Sequence, residues 1–194
     1  VKSISRGQTA AAQIRTECDV PVAYGDRFVI RSYSPVHVIG GGVVLRAHPK
    51  RTTTVSEADR MLLDALRTGD GAKAVQSAFD AAEFPVTPAD IAHATGLPLA
   101  ESADELETLA KRGNAEKLPG AAGANTRFAT KRTLQKLSGA VENALLRFHS
   151  ANPAATGMSK EALRQACMPR CAPDAFDAVL ARACAEGKAV ADGG

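Results

Sequence analysis

The sequence predicts a multidomain α+β protein in which a β segment precedes two tandem winged-helix modules. Three observations lead there. Residues 27–45 hold two apolar runs around a polar turn, Ser-Tyr-Ser-Pro. Residues 87–112 read as a short capped helix, a glycine turn and a longer helix, which is the helix-turn-helix order. The same order returns over residues 159–187, as expected of two modules of one kind.

Taken in order, residues 8–16 and 20–23 read as short strands. Gly25-Asp26 is a turn signal, after which Phe28 and Ile30 alternate with Arg27, Val29 and Arg31, the period of a strand. Ser34-Pro35 breaks that run, and a return strand follows from Val36 to Leu45. Its Gly40-Gly41-Gly42 predicts a bulge or a very close backbone approach. Residues 49–54 form a polar connector. Ser56 with Asp59 starts a helix whose apolar stripe is Ala58, Met61, Leu62, Ala65 and Leu66, and Gly69 ends it. A second helix, roughly 72–83, buries Val75 and Phe79. Thr87, Pro88 and Asp90 open the short helix that ends at Gly96, and a longer one runs from Leu99 to Arg112. Residues 115–130 then give a two-stranded wing around the turn 120–125. In the second module Leu134, Leu137, Val141, Leu145 and Phe148 stripe a long helix. Ser159 caps a short one, and Pro173 opens a third with Phe176, Val179, Leu180 and Ala183 on one face, closing at Gly187.

The run from Gly25 to Leu45 resembles the closing hairpin of the third domain of elongation factor Tu-like translational GTPases. Its form here, Arg-Phe-Val-Ile-Arg-Ser-Tyr-Ser-Pro-Val-His-Val-Ile-Gly-Gly-Gly, is most similar to the bacterial selenocysteine-specific elongation factors, the SelB family. Leu146-Arg-Phe-His-Ser-Ala-Asn-Pro153, Gly157 and Leu163-Arg164 resemble the second winged helix of that family. The resemblance implies a C-terminal fragment. Residues 1–50 would be the end of the third, β-barrel domain, 51–55 a linker, 56–130 the first winged helix and 131–194 the second, with its wing incomplete. So few residues do not close a barrel, and the other strands are expected upstream of Val1.

The implied function is GTP-dependent delivery of selenocysteinyl-tRNA to the ribosome at UGA codons. This piece would supply part of the tRNA grip and the arm leading to the end that binds the mRNA selenocysteine insertion hairpin. GTP and Mg belong to a GTPase domain outside this chain, and the mRNA hairpin to winged helices beyond it. The positions matching the tRNA-side turn of elongation factor Tu are Arg31, Ser32, Tyr33 and Ser34, with Arg27 and His37 beside them. An arginine and serine hydroxyls supply donors to phosphate and sugar without reading bases. The turn is longer here than in elongation factor Tu.

Charge narrows the alternatives. Residues 1–51 hold 8 Lys+Arg against 3 Asp+Glu, residues 52–130 hold 7 against 12, and residues 131–194 hold 9 against 6. A basic β segment beside an acidic helical one suggests separate partners. Leu99 to Arg112 carries Glu101, Asp104, Glu105 and Glu107 against Lys111 and Arg112, and Pro173 to Glu186 is acidic as well. Acidic recognition helices are unfavourable in a phosphate field, which argues against a tandem winged-helix transcriptional regulator. A protein-interaction scaffold is the other alternative.

Other chemistry is thin. Cys167 and Cys171 lack the second pair of a zinc site, and His37, His48, His93 and His149 form no constellation with a nucleophile. The three glycines lack the spacing of a phosphate loop, so no catalytic residue, resident cofactor or metal is expected in this chain. With 45% hydrophobic and 23% charged residues, no signal-peptide pattern and no apolar run of about 18 residues, a cytoplasmic protein with reduced thiols and no membrane partner is expected.

Overall fold

The computed structural model describes residues 3–47, 49, 54–118 and 126–191. Its elements are β1 Arg27–Arg31, β2 Val38–Val43, α1 Glu57–Thr68, α2 Gly71–Asp80, α3 Pro88–Thr95, α4 Leu99–Lys111, β3 Glu116–Leu118, β4 Arg127–Ala129, α5 Lys131–Ala151, α6 Lys160–Cys167 and α7 Pro173–Ala185.

Helix starts follow side-chain chemistry. The side chains of Ser56, Asp70, Thr87, Thr130 and Ser159 each accept a first-turn backbone N–H at the head of α1, α2, α3, α5 and α6. At α3 the box closes both ways, since Asp90 also accepts from Thr87 N at 2.8 Å and Pro88 occupies the first helical position. The stripe of α1 is narrower than its spacing predicts. Leu62, Ala65 and Leu66 are buried, whereas Met61 is 51% exposed, because α1 meets its neighbours along a thin seam.

Helices α1–α4 enclose one core, in which Leu62, Val75, Phe79, Ile91, Leu106 and Phe128 meet. Helices α5–α7 enclose another around Leu137, Val141, Leu163, Met168, Phe176 and Val179. Of the α5 stripe, Leu134, Leu137 and Val141 are buried while Leu145 and Phe148 are half-buried. Cys171 sits in this second core, and burial pushes its thiol and that of Cys167 up. Strands β3 and β4 pair antiparallel, Glu116 with Ala129 and Leu118 with Arg127, and Val86 adds a bridge to Phe128. The expected wing turn at 120–125 lies outside the described residues.

This small ladder is two-faced, as strand periodicity requires. Phe128 enters the first core. Leu118 and Ala129 point the other way and pack with Leu134 of α5 and Ala178 of α7. The second module therefore lies against the ladder of the first.

The β segment corrects one expectation. β1 and β2 form a two-stranded antiparallel sheet, but residues 8–16 and 20–23 form no strand. A strand exists through the ladder it joins, and among the described residues these segments meet none. Among the described residues no barrel forms; this segment holds a two-stranded hairpin. The glycines behave as predicted: a Cβ on Gly41 would stand 2.6 Å from Phe28 O, and one on Gly42 2.8 Å from the Phe28 ring. The register shifts between Ile30 and Arg31, which is the predicted bulge.

Tyr24 fastens the hairpin to the helices. Its hydroxyl donates to Leu66 O at 2.7 Å, and Arg46 reaches Asp59 at 3.6 Å. Gly96, at φ 79°, ends α3 where a Cβ would come 2.9 Å from Tyr24 Cβ. Gly96→Ala is expected to lower stability by about 1–2 kcal/mol through the left-handed backbone, and further through the Tyr24 contact. Gly69→Ala is the control, since Gly69 has φ 73° and nothing within 4 Å. Thermal melts of the two variants separate these causes; equal midpoints would show that Tyr24 simply moves aside.

Candidate nucleic-acid interface

The hairpin turn comprises residues 32–37 and closes on itself. Ser32 N donates to His37 O at 2.9 Å, and His37 N donates to Ser32 Oγ at 3.2 Å. The Ser32 hydroxyl donates to Pro35 O and lies 2.8 Å from His37 Nδ1, which is itself 2.9 Å from Pro35 O. Ser32 and His37 therefore brace the neck of the turn. Tyr33 projects beyond it, 97% exposed, with Ser34 and Val36 also open to solvent.

Arg27 and Arg31 stand at the two ends of β1, four residues apart and so on one face of the strand. Both are exposed. Of the six residues singled out in the sequence, the structure thus gathers Arg31, Tyr33 and Ser34 at an open tip. Ser32 and His37 lie beneath it, and Arg27 sits at the far end of the strand. The arrangement offers cationic donors and one aromatic face, suited to a sugar-phosphate backbone and a stacked ring rather than to bond-making chemistry. Among the described residues no group of three or more His, Cys, Asp or Glu side chains is placed to hold a metal ion, and no helix is long and apolar enough to cross a membrane.

The longer helices of the two helix-turn-helix units differ from groove-reading helices. α4 keeps its acidic side chains, with Glu107 paired to Lys117. α7 is used on two faces. Phe176, Val179 and Ala183 fill the second core, while Asp174, Ala178 and Arg182 meet the β3–β4 ladder. Arg127 carries the polar part of that contact. Its side chain, 11% exposed, donates to Pro85 O at 3.0 Å and to Asp174, and lies 3.8 Å from Asp90. Its guanidinium holds the Asp174 carboxyl below the usual carboxylate range. Arg182 reaches Glu116 at 3.1 Å and Arg170 reaches Glu83 at 3.3 Å across the same junction.

Sequence reasoning missed Tyr24 and Arg127. The available signal for Tyr24 was a rare aromatic, one of two tyrosines, directly before the Gly25-Asp26 turn. For Arg127 it was a lone arginine in an apolar strand between two modules.

A short capped α6, a tight turn and a longer α7, packed on α5, define the second module as a helix-turn-helix unit. The comparisons agree: the family model "Elongation factor SelB, winged helix" matches residues 143–194. The selenocysteine-specific elongation factor of Desulfomicrobium baculatum is 37% identical over 57 residues, which are 26% of this chain and 9% of that protein. Residues 143–194 are thus similar to a winged helix of the selenocysteine-specific elongation factors. It spans less than two thirds of the length of the curated relative it matches.

Proposed function

We propose that this chain is part of a factor that delivers selenocysteinyl-tRNA to the ribosome at recoded UGA codons in the cytoplasm. Residues 1–50 belong on this reading to the third, tRNA-gripping barrel domain, and residues 56–130 and 131–194 are two tandem winged helices. GTP binding, the ribosome contact and the mRNA hairpin contact lie with other domains of such a factor. The observation that carries the proposal is the family match of residues 143–194, joined to a hairpin whose open tip presents Arg31 and Tyr33. The acidic α4 and the burial of the α7 face on β3–β4 favour it over the regulator reading.

The test is fluorescence anisotropy of this chain with selenocysteine tRNA at low salt. Arg31→Ala removes a charge-assisted donor and is expected to weaken binding about tenfold, with a salt dependence shallower by about one phosphate. Tyr33→Ala should cost a similar factor through lost stacking. Unchanged binding in both variants would remove the hairpin from the tRNA site. Tighter binding to duplex DNA than to tRNA would favour a regulator, and binding to neither a scaffold.

A further inference from the structure

Helix α5 breaks two local rules on its solvent face. Its first turn carries Lys131 and Arg132 and no acidic residue, although the positive end of a helix favours anions. Gly139 sits near its middle, at a cost of about 1 kcal/mol relative to alanine. Nothing among the described residues asks for that glycine. A Cβ there would meet no atom within 4 Å, and its backbone is not in the left-handed region.

These irregularities lie on one surface. At about 100° per residue, Arg132, Lys136, Gly139, Asn143 and Arg147 fall within an arc of about 80°, along about 22 Å of helix. The arc is opposite to buried Leu134, Leu137 and Val141. Arg132, Lys136, Asn143 and Arg147 are exposed, and none of the three cations takes part in an ion pair among the described residues. By contrast Arg127, Lys160, Arg164, Arg170, Arg182 and Lys188 are all paired. The one acidic residue of α5, Glu142, lies off the arc.

We propose that this face of α5 binds the phosphate backbone of double-helical RNA, with Gly139 letting the backbone approach the helix axis. Cations and an amide in a row, with the single exposed leucine Leu146 beside them rather than an apolar ridge, match a polyanion better than a lipid surface or a protein groove. The gap at Gly139 gives the row a concave middle in which a phosphate ridge seats. The choice of RNA over DNA rests on the proposed function; the phosphate contact rests on α5 alone.

The test uses anisotropy of the chain with an RNA duplex of about 16 base pairs, the span of a typical double-stranded RNA module. The triple variant Arg132→Gln, Lys136→Gln, Arg147→Gln is expected to lose tenfold or more in affinity at low salt. Its salt slope should fall by about 2–3. Gly139→Leu should raise the melting midpoint through helix propensity and still weaken binding about fivefold or more by filling the gap. Binding that survives the triple variant overturns the proposal, as does a stabilised Gly139→Leu with undiminished affinity, or a wild-type chain that ignores the duplex. Equal affinity for duplex DNA overturns the assignment to RNA. Arg31→Ala measured beside them separates the sites: loss in the hairpin variant alone overturns the α5 proposal and leaves the hairpin reading standing, and loss in the α5 variants alone does the reverse.

Discussion

Phe128→Ala is expected to destabilise the chain by about 3–5 kcal/mol and to lower its melting midpoint by about 10 °C or more. Phe128 is 1% exposed and closes the first core against Leu106, Leu109 and Ile91. Its backbone donates to Val86 O at 2.7 Å and accepts from Val86 N at 2.9 Å on one edge, and pairs with Lys117 of β3 on the other, so β4 is not free to collapse into the cavity. A cavity that does not relax gives the upper part of the range for a deleted aromatic side chain. The effect should spread, because Arg127 and Ala129 on the same short strand hold the second module. Phe176→Ala is the comparison: it empties a similar volume in the second core, away from β4. Differential scanning calorimetry of both variants is the measurement. If Phe128→Ala shifts only one of two resolved transitions, the modules unfold independently and β4 does not couple them.

Much of the helical framework was legible because caps are local. Ser56, Thr87 and Ser159 each precede their helix by one residue and accept from a backbone N–H three residues on, which a short window of sequence contains. The glycine run of β2 was legible for the same reason, since only a missing Cβ fits over Phe28. What stayed illegible depends on distant partners. Residues 8–16 carry a strand-like pattern yet form none, because a ladder is decided by the neighbouring segment. Met61 fits the helical stripe of α1 but stands clear of the seam. At the hairpin, Arg31 and Tyr33 were identifiable as exposed by their place in the turn. That Ser32 and His37 spend their hydrogen bonds on each other follows from loop closure, which sequence spacing alone leaves open. Arg127 meets Asp174 across 47 positions, far outside any periodic signal.

Arg127→Met is expected to cost about 1–3 kcal/mol and to loosen the second module from the first. Methionine keeps much of the side-chain length but donates nothing, so Pro85 O loses its donor and the two carboxylates lose their counterion. The cost stays below that of a fully buried pair because Asp174 and Asp90 are 45% and 55% exposed and regain water. The sign of the pH effect follows from the depressed Asp174 carboxyl. Its contribution to the docked state is complete above the ordinary carboxylate value of about 3.9 and disappears as pH falls through the lower folded value. Wild type should therefore lose docking stability on acidification in that window, and Arg127→Met should show a flatter acid limb. Arg170→Ala is the contrast, since Arg170 and Glu83 are 81% and 61% exposed and that pair is weak and screened by salt. Small-angle scattering should show a larger maximum dimension for Arg127→Met than for wild type or Arg170→Ala. An unchanged scattering curve with an unchanged acid limb would mean that the apolar seam of Leu118, Ala129, Leu134 and Ala178 suffices to hold the modules together. Loosening the junction also exposes the α7 face bearing Asp174, Ala178 and Arg182. Because α7 is acidic, duplex DNA affinity should not rise with its release; a rise would reveal a recognition helix that β4 had been masking.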